Sequence, residues 1–360
     1  MKVNTAQNLL AGASWCAVVL LWLCAASVFI SPVHCRLLGV VGLAFPFFLT
    51  GVLLMQALTL LFARRHAWIP LLGLAGAFFS IRAYIPFNFP SSPPEGAIKV
   101  ISYNTACFGG ENTAAQERHA ITNYLIDAQA DIVCLQEAAT IPFTRYAEET
   151  LPMLEKAYPH HDTVSINSNI YAVFSRYPIV GKEVICHNGT NGSAAFKLLT
   201  GKTDTLLVVN CHLESMHLSP ADRKSYHTMV RTPEESDVES SSRLLVSKIS
   251  TASVTRAVQA DIVADYLKLH EKLPVILCGD FNDTPISYTR RRILSQGLTD
   301  AYETTGNGFG RTFNRDAICV RIDHMMCSRH FKPYACQVDC SINASDHYPI
   351  VASFERQKEK

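Results

Sequence analysis

The feature that most constrains this chain is the complete absence of Asp and Glu from its first 94 residues. Within that region lie three apolar stretches, Leu9–Ile30, Leu37–Phe62 and Ala67–Ile81. A helix needs roughly 20 apolar residues to cross a bilayer. The first two stretches are long enough, whereas the third is marginal unless Arg82 reaches toward the interface and the span extends to Phe87. We therefore predict a membrane anchor of two or three transmembrane helices over residues 1–90.

The side of the membrane follows from the basic residues. The segment Ala63–His66 contains Arg64 and Arg65, and such loops stay in the cytoplasm. Three crossings would then place everything after Phe87 outside, whereas two would place it inside. Lys2 before the first stretch is also compatible with a cleaved signal peptide, and the third stretch with a buried or interfacial helix. The further apolar stretches favour an integral protein of the plasma or inner membrane with an extracytoplasmic domain.

The remainder of the chain has a different composition. Only five of the 32 Lys and Arg residues precede Glu95, so residues 95–360 carry 27 basic against 31 acidic residues. Ser91 to Gly96 consists of turn formers and predicts a linker over 91–96. Beyond it, over 97–356, apolar strand-like runs such as "DIVCLQE" and "NIYAVFSRYPIV" alternate with helical patterns at 113–128, 144–157 and 243–270. A polar, Ser-rich segment at 216–242 predicts a long loop. The alternation indicates an α/β domain.

Several of the predicted strands end in a residue that can bind metal, hold phosphate or move a proton. These residues are Asn104, Glu137, His212, Asp280, Asn282, Asp323, Asp346 and His347. One such residue alone is more often a simple turn residue, but a series of them is not explained in that way. Carboxylates and amides suit a hard cation such as Mg²⁺, and the chain contains no G-x-x-x-x-G-K, G-x-S-x-G or H-E-x-x-H motif. The pattern favours metal-assisted attack of water on a phosphoester.

The motifs that carry these residues resemble a known family. In order they are "SYNT", "DIVCLQE", "FSRYPI", "NCHLES", "CGDFND", "RIDHMM" and "SDHYPI". Their series is similar to that of the endonuclease/exonuclease/phosphatase superfamily of metal-dependent phosphoesterases. The resemblance covers residues 97–356 and leaves out the membrane anchor. It implies an α/β (α+β) fold, a four-layer αββα sandwich of two mixed sheets.

The resemblance also implies a metal site. Glu137 matches the metal-binding carboxylate, Asn104 lies beside it, and Asp346 matches a carboxylate near the metal. Apurinic endonucleases of the family carry an acid at the position of Ala106. Its absence here favours a single ion, Mg²⁺ or else Mn²⁺ or Ca²⁺.

The remaining residues match groups that handle water and phosphate. Asp280 corresponds to the residue that positions or activates the attacking water, and Asn282 to a donor to phosphate oxygens. His212 corresponds to a phosphate-contacting histidine, and His347 to a second one held by Asp323. Which of them accepts the proton is left open.

The substrate class also stays open between nucleic acid and a lipid headgroup. A nuclease on extracytoplasmic DNA or RNA and a sphingomyelinase-like lipid phosphodiesterase are both compatible with a bilayer contact through residues 9–87. The slightly acidic domain has one local basic run, Arg290 to Arg292, which we predict to be a solvated helix face rather than a substrate contact. A catalytically silent binding domain is disfavoured because Glu137, Asp280 and His347 are all present. No obligate protein partner is predicted.

Overall fold

The computed structural model describes residues 2–109, 115–138, 145–201, 204–216, 221–222, 228, 238–315 and 320–357. An N-terminal helical module packs against a larger α/β module. Most of the predicted loop at 216–242 lies outside the described residues. Its last part is not a loop, because the long helix there begins at Val238 rather than at residue 243.

The helical module consists of five helices: α1 (Lys2–Ala26), α2 (Leu38–Val41), α3 (Phe45–Phe62), α4 (Trp68–Gly76) and α5 (Phe78–Tyr84). The segments Thr5–Phe29 and Leu38–Phe62 are long and apolar enough to cross a membrane, as predicted. The third apolar stretch is broken at Ala77, where α4 and α5 meet at a bend of 60°. Together α4 and α5 have the composition of one further, bent span.

The direction of α4 decides where the chain leaves this module. Trp15 of α1 contacts Trp68 at the start of α4, with ring centroids 5.7 Å apart. Farther along both helices, the indole Nε1 of Trp22 donates to the carbonyl of Gly73 at 3.0 Å. The earlier residue of α1 contacts the start of α4 and the later residue contacts a position farther along α4, so the two helices run parallel. Arg65 in the turn before α4 donates to Asn8, so that turn lies beside the N-terminus and the chain exits at the opposite end.

The α/β module is built on two six-stranded mixed sheets. The first has the order β11-β12-β1-β2-β4-β3, and only β1 and β2 are parallel. Its strands are β1 (Ile98–Asn104), β2 (Ile132–Gln136), β3 (His160–Ile166), β4 (Asn169–Ser175), β11 (Phe331–Val338) and β12 (Ile350–Arg356).

The second sheet has the order β5-β6-β7-β8-β10-β9, in which only β7 and β8 are parallel. Its strands are β5 (Ile179–Asn188), β6 (Asn191–Leu199), β7 (Thr205–His212), β8 (Val275–Asp280), β9 (Thr299–Asp300) and β10 (Asp323–Cys327). The other helices whose bounds the described residues give are α6 (Ala115–Asp127), α7 (Arg145–Ala157), α8 (Val238–Leu269), α9 (Tyr288–Leu294) and α10 (Ala301–Thr305).

The layers follow from the buried side chains. Residues such as Val100 and Val208 form one core between the two sheets. Leu125 of α6 joins a second core on the outer face of the first sheet, and Val263 of α8 joins a third on the outer face of the second. The four-layer αββα sandwich is therefore confirmed. It follows from strands that are apolar on both faces, which need cover on both sides.

Some strands differ from the sequence prediction. The run "NIYAVFSRYPIV" is not one strand, because β4 and β5 lie in different sheets on either side of Tyr177–Pro178. Proline has no amide hydrogen and interrupts the ladder at that point. Strands β3, β6, β9 and β11 were not predicted, since β6 is rich in small residues and β3 carries charge.

Candidate active site

Three predicted site residues lie in register across the second sheet. His212 at the end of β7 is paired with Asp280 at the end of β8, and Asp280 is paired with Asp323 at the start of β10. Gly279 precedes Asp280 with φ 136°, and a Cβ there would overlap the carbonyl oxygen of Cys211. Only glycine combines this backbone conformation with such a close approach. The glycine therefore lets β7 and β8 present their polar ends side by side.

The first sheet brings an amide and a carboxylate to the same edge. Asn104 ends β1, and Glu137 follows β2 with φ 49°, a left-handed conformation that is uncommon for glutamate. Asn104 Nδ2 lies 3.4 Å from Glu137 Oε1 and 3.1 Å from Asp280 Oδ2. Its Oδ1 accepts from the backbone N–H of Ala106 at 3.1 Å. Asn104 thus joins the two sheets by donating to a carboxylate from each.

Asp280 is the centre of the arrangement and is only 1% exposed. The backbone N–H of Asn282 donates to Asp280 Oδ1 at 2.7 Å, and the Asn282 side chain donates to the carbonyl of Leu213 at 3.0 Å. Burial raises the pKa of Asp280 to about 6, although the neighbouring histidines oppose the shift. A carboxylate that titrates just below neutral pH is suited to accept or orient a proton near that pH.

His347 is held as a cation. Its Nδ1 lies 2.8 Å from Asp323 Oδ2, and its Nε2 lies 3.6 Å from Asp280 Oδ2. Burial alone would lower the pKa of His347, but the two carboxylates outweigh it and raise the pKa to about 10. The backbone N–H of Asp323 donates to Thr312 Oγ1 at 3.1 Å, which helps to fix its position. The result is a buried imidazolium with its Nε2–H directed into the site.

His212, in contrast to His347, is held as a neutral imidazole. Burial lowers its pKa, although Asp280 acts in the other direction. Asn169 Nδ2 lies 3.1 Å from His212 Nδ1. Because an amide nitrogen only donates, Nδ1 is the acceptor and the proton of the neutral ring lies on Nε2. That nitrogen is 3.6 Å from Glu137 Oε1 and 3.7 Å from Asp280 Oδ2.

The remaining acids have the chemistry of a cation site. Glu137 is the most exposed of the ion-paired site side chains, at 34%. Burial raises its pKa, and repulsion from Asp346 raises it further. A hard divalent cation at Glu137 and Asp346 would replace this repulsion by attraction, and oxygen ligands are those it prefers. The donor set therefore fits such an ion.

A buried cluster of Asp280, Asp323 and His347 also has ligand atoms within 4.8 Å of one another. In that cluster His347 Nδ1 is already engaged by Asp323 at 2.8 Å. We therefore interpret the cluster as an ion-paired group with one hydrogen bond, between His347 and Asp323, that adjoins the cation site, rather than as the cation's main ligand set.

All eight predicted site residues lie at this one edge of the sandwich, and sequence reasoning missed several residues that support them. Asn169 is one. Another is the buried pair Gln136 and Asn210, whose side chains bond at 2.7 Å between the sheets. Ser345 donates to the carbonyl of Asn104 at 2.8 Å. Polar residues inside the apolar runs "IVCLQ" and "LLVVNC" were the available signal for the Gln136–Asn210 pair.

The basic run at 290–292 is not a solvated helix face. Arg290 is buried and bonds to Asp300 and Glu303. Arg291 stacks on the ring of Phe29 at 3.9 Å, and Arg292 pairs with two acids of α8. The sequence prediction was wrong because the partners lie on other elements, which the local pattern of the run does not show.

Comparisons with known families agree with the fold. A model of the endonuclease/exonuclease/phosphatase family matches residues 101–347. A second family model, described as a domain of unknown function, matches residues 7–84. No curated protein matches the chain.

Solved structures with the same fold are distant in sequence. An endonuclease/exonuclease/phosphatase from Beutenbergia cavernae DSM 12333 is 18% identical, with a TM-score of 0.52 and coverage of 72% of each chain. The human Nocturnin catalytic domain with bound sulfate anion is 18% identical, with a TM-score of 0.50, covering 72% of this chain and 94% of that one. SmcL is 16% identical, with a TM-score of 0.50, covering 73% of this chain and all of the other. At such identities the likeness is evidence of fold.

Proposed function

The chain belongs to the endonuclease/exonuclease/phosphatase family, whose members hydrolyse phosphoester bonds, and from that premise we propose that it is a membrane-anchored, divalent-cation-dependent phosphodiesterase. The observation that carries the proposal is the convergence on Asp280 Oδ2 of Asn104, His212 and His347. A binding domain without catalysis would have no need to bury a carboxylate between two imidazoles.

Each residue then has a role in the attack of water on phosphorus. Asp280 orients the water, whose oxygen forms the new bond to phosphorus as the bond to the leaving oxygen breaks. His212, as the neutral Nε2–H tautomer, donates to a non-bridging phosphoryl oxygen. The imidazolium of His347 offsets the negative charge that grows in the transition state. The acceptor of the water proton is either Asp280 or a group beside it.

The amides support this arrangement. Asn104 holds Glu137 and Asp280 at fixed separation, and Asn282 braces Asp280 through its backbone. Rotation of the Asn282 side chain away from Leu213 would let it donate to the phosphate. Glu137 and Asp346 would hold one Mg²⁺, Mn²⁺ or Ca²⁺ ion. When bound, such an ion supplies Lewis-acid polarisation of a phosphoryl oxygen.

The same proposal assigns the modules. Residues 1–90 form the anchor, 91–96 the linker and 97–356 the catalytic domain. The parallel course of α1 and α4 supports three crossings, and the basic turn at Arg64 and Arg65 supports a cytoplasmic N-terminus. The catalytic domain would then be extracytoplasmic, where either a lipid headgroup or a nucleic acid could be its substrate.

The test uses the full chain in nanodiscs with bis-p-nitrophenyl phosphate and Mg²⁺, Mn²⁺ or Ca²⁺. We expect cation-dependent hydrolysis that falls by at least about 10³-fold in Asp280→Asn, since the variant lacks the group that orients water. Asp339→Asn is the matched control, because this carboxylate bonds Tyr124 away from the site. Equal rates for the Asp280→Asn and parent proteins would refute the assignment.

A further inference from the structure

We propose that the site acts on the phosphodiester of a membrane-lipid headgroup at the bilayer surface, an inference that rests on the proposed phosphodiesterase function. The observation behind it is that the helical module is attached to the same edge of the sandwich that carries the site. The helical module therefore lies directly beside the active site, and we call it the platform.

The first attachment follows the catalytic strand β8. Ile286, four residues after Asn282, is buried in the apolar cluster of the helical module together with Phe45. A Cβ on Gly42 would overlap the carbonyl oxygen of Ile286, so the two backbones are in direct contact. The stacking of Arg291 on Phe29 adds a second contact to the same attachment.

The second attachment precedes β10. Arg321 lies two residues before Asp323 and is only 2% exposed. Its Nη2 donates to the carbonyl of Ala83 at the end of α5, at 2.5 Å. Asn88 completes this attachment by donating to the carbonyls of Glu303 and Gly306. Each attachment therefore lies next to a residue of the candidate site.

These attachments limit the height of the site above the membrane. A chain spans at most about 3.6 Å per residue, so Asn282 lies within about 14 Å of Ile286 and Asp323 within about 7 Å of Arg321. The headgroup region on each side of a bilayer is itself roughly 5–8 Å deep. The Asp280 end of the sheet therefore lies close to the end of the helical module, and our proposal places it near the level of the lipid phosphates.

Exposed aromatic residues at the junction of the modules indicate where the bilayer surface lies. We call Phe29, Phe87, Phe89 and Phe309 the aromatic collar; their exposed fractions are 63%, 75%, 86% and 51%. Phe309 belongs to the α/β module and contacts Tyr84, with ring centroids 6.2 Å apart. Aromatic residues favour the membrane–water interface. The collar continues the apolar surface of the spans, so lipid is the occupant that covers it.

The arginines near the site favour a headgroup over a nucleic-acid backbone. A nucleic-acid strand is held by several cations that remain free to meet its phosphates. Among the described residues, Arg290, Arg291, Arg292 and Arg321 are instead engaged in holding the protein together. Arg291 and Arg321 contact the helical module, whereas Arg290 and Arg292 form ion pairs within the α/β module, so these four arginines are already engaged by other protein groups.

The test compares substrates on the full chain reconstituted in vesicles. The vesicles contain phosphatidylcholine, phosphatidylethanolamine, phosphatidylglycerol and sphingomyelin, and released phosphorylated headgroup or lipid is measured. Parallel arms use the corresponding water-soluble glycerophosphodiesters, single-stranded DNA and bis-p-nitrophenyl phosphate. We expect at least one lipid to be cleaved with a kcat/KM at least about 100-fold above that of its soluble counterpart, since the platform holds the site at the lipid phosphates.

Gly42→Ala is the diagnostic variant, because it separates the platform from the catalytic strand without touching the site. Gly51→Ala is its matched control, since a Cβ at Gly51 meets nothing within 4 Å. Gly42→Ala is expected to lower the ratio of lipid to bis-p-nitrophenyl phosphate turnover at least tenfold, and Gly51→Ala to leave it unchanged. Arg291→Ala should act in the same direction if Gly42→Ala fails to fold.

Two outcomes would overturn the proposal, and they have different consequences for the proposed phosphodiesterase function. Cleavage of bis-p-nitrophenyl phosphate without any preference for lipid, or with faster cleavage of DNA, would remove the lipid inference and leave the phosphodiesterase function standing. Failure to cleave any of these substrates would remove both.

Discussion

Replacing Asp323 by Asn tests whether a charged His347 is needed for activity. The carboxylate of Asp323 lies 2.8 Å from His347 Nδ1, and Asp280 lies 3.6 Å from Nε2. Asn keeps the size of the side chain and removes its charge. The substitution therefore changes the protonation of the imidazole more than its position.

The magnitude follows from the shorter distance. Two unit charges 2.8 Å apart attract by about 6 kcal/mol at an effective dielectric constant of about 20, which corresponds to about four pKa units. Loss of that attraction would move the pKa of His347 from about 10 to about 6. At pH 8 only about 1% of the variant would then carry the imidazolium, so kcat should fall about 100-fold.

The assay measures kcat on bis-p-nitrophenyl phosphate between pH 7 and 8.5. The ratio of Asp323→Asn to parent activity should rise about tenfold for each unit of decreasing pH, because the parent imidazolium is protonated throughout this range.

Thermal unfolding provides the structural control. The raised pKa of His347 contributes stability that is fully present below the pKa of the unfolded state and is lost progressively as pH rises from there through about 10. The variant should therefore melt earlier than the parent at pH 7.

Two results would refute this reasoning. A ratio that does not change with pH would mean that the charge on His347 is not what the variant loses. Retention of more than half of the parent activity at pH 8 would mean that His347 acts as a neutral group.

Three further predictions concern other parts of the site. Glu137→Gln should raise the Mg²⁺ concentration for half-maximal rate at least tenfold while Asp339→Asn does not, as measured by cation titration; an unchanged titration would remove Glu137 from the cation site. Burial raises the pKa of Asp280 to about 6, and the carboxylate form orients water, so the rate should fall as pH drops through about 6. Saturating Mg²⁺ should shift the apparent pKa of this fall to a lower pH. A flat profile between pH 5 and 8 would contradict the prediction. Asn169→Ala should lower kcat several-fold with little change in KM, because it frees the tautomer of His212; a change confined to KM would indicate a binding role instead.

Much of the site could be predicted from the sequence because strand ends meet at sheet edges. Asp280 and His212 end apolar runs whose pattern predicts β-strands. Because these strands are parallel neighbours, their ends lie side by side. The motif order then placed Glu137 and His347 with them. These inferences need only local pattern and family resemblance.

The parts that could not be predicted depend on contacts between distant residues. The partners of Arg290 and Arg292 lie on other elements, so the sequence alone suggested a solvated helix face. The attachment of Arg321 to Ala83 joins residues far apart in the chain and leaves no local signal. The same holds for Gly42 against Ile286, and these contacts make the full chain, rather than the α/β module alone, the proper object of assays.

The most direct test of the central claim is the initial rate of bis-p-nitrophenyl phosphate hydrolysis as a function of free Mg²⁺, with the chelator-treated full chain in nanodiscs. The account predicts no activity without a divalent cation, a hyperbolic rise consistent with one ion, and no comparable rise for Asp280→Asn. A rate that persists after complete chelation, or one that Asp280→Asn leaves intact, would contradict it.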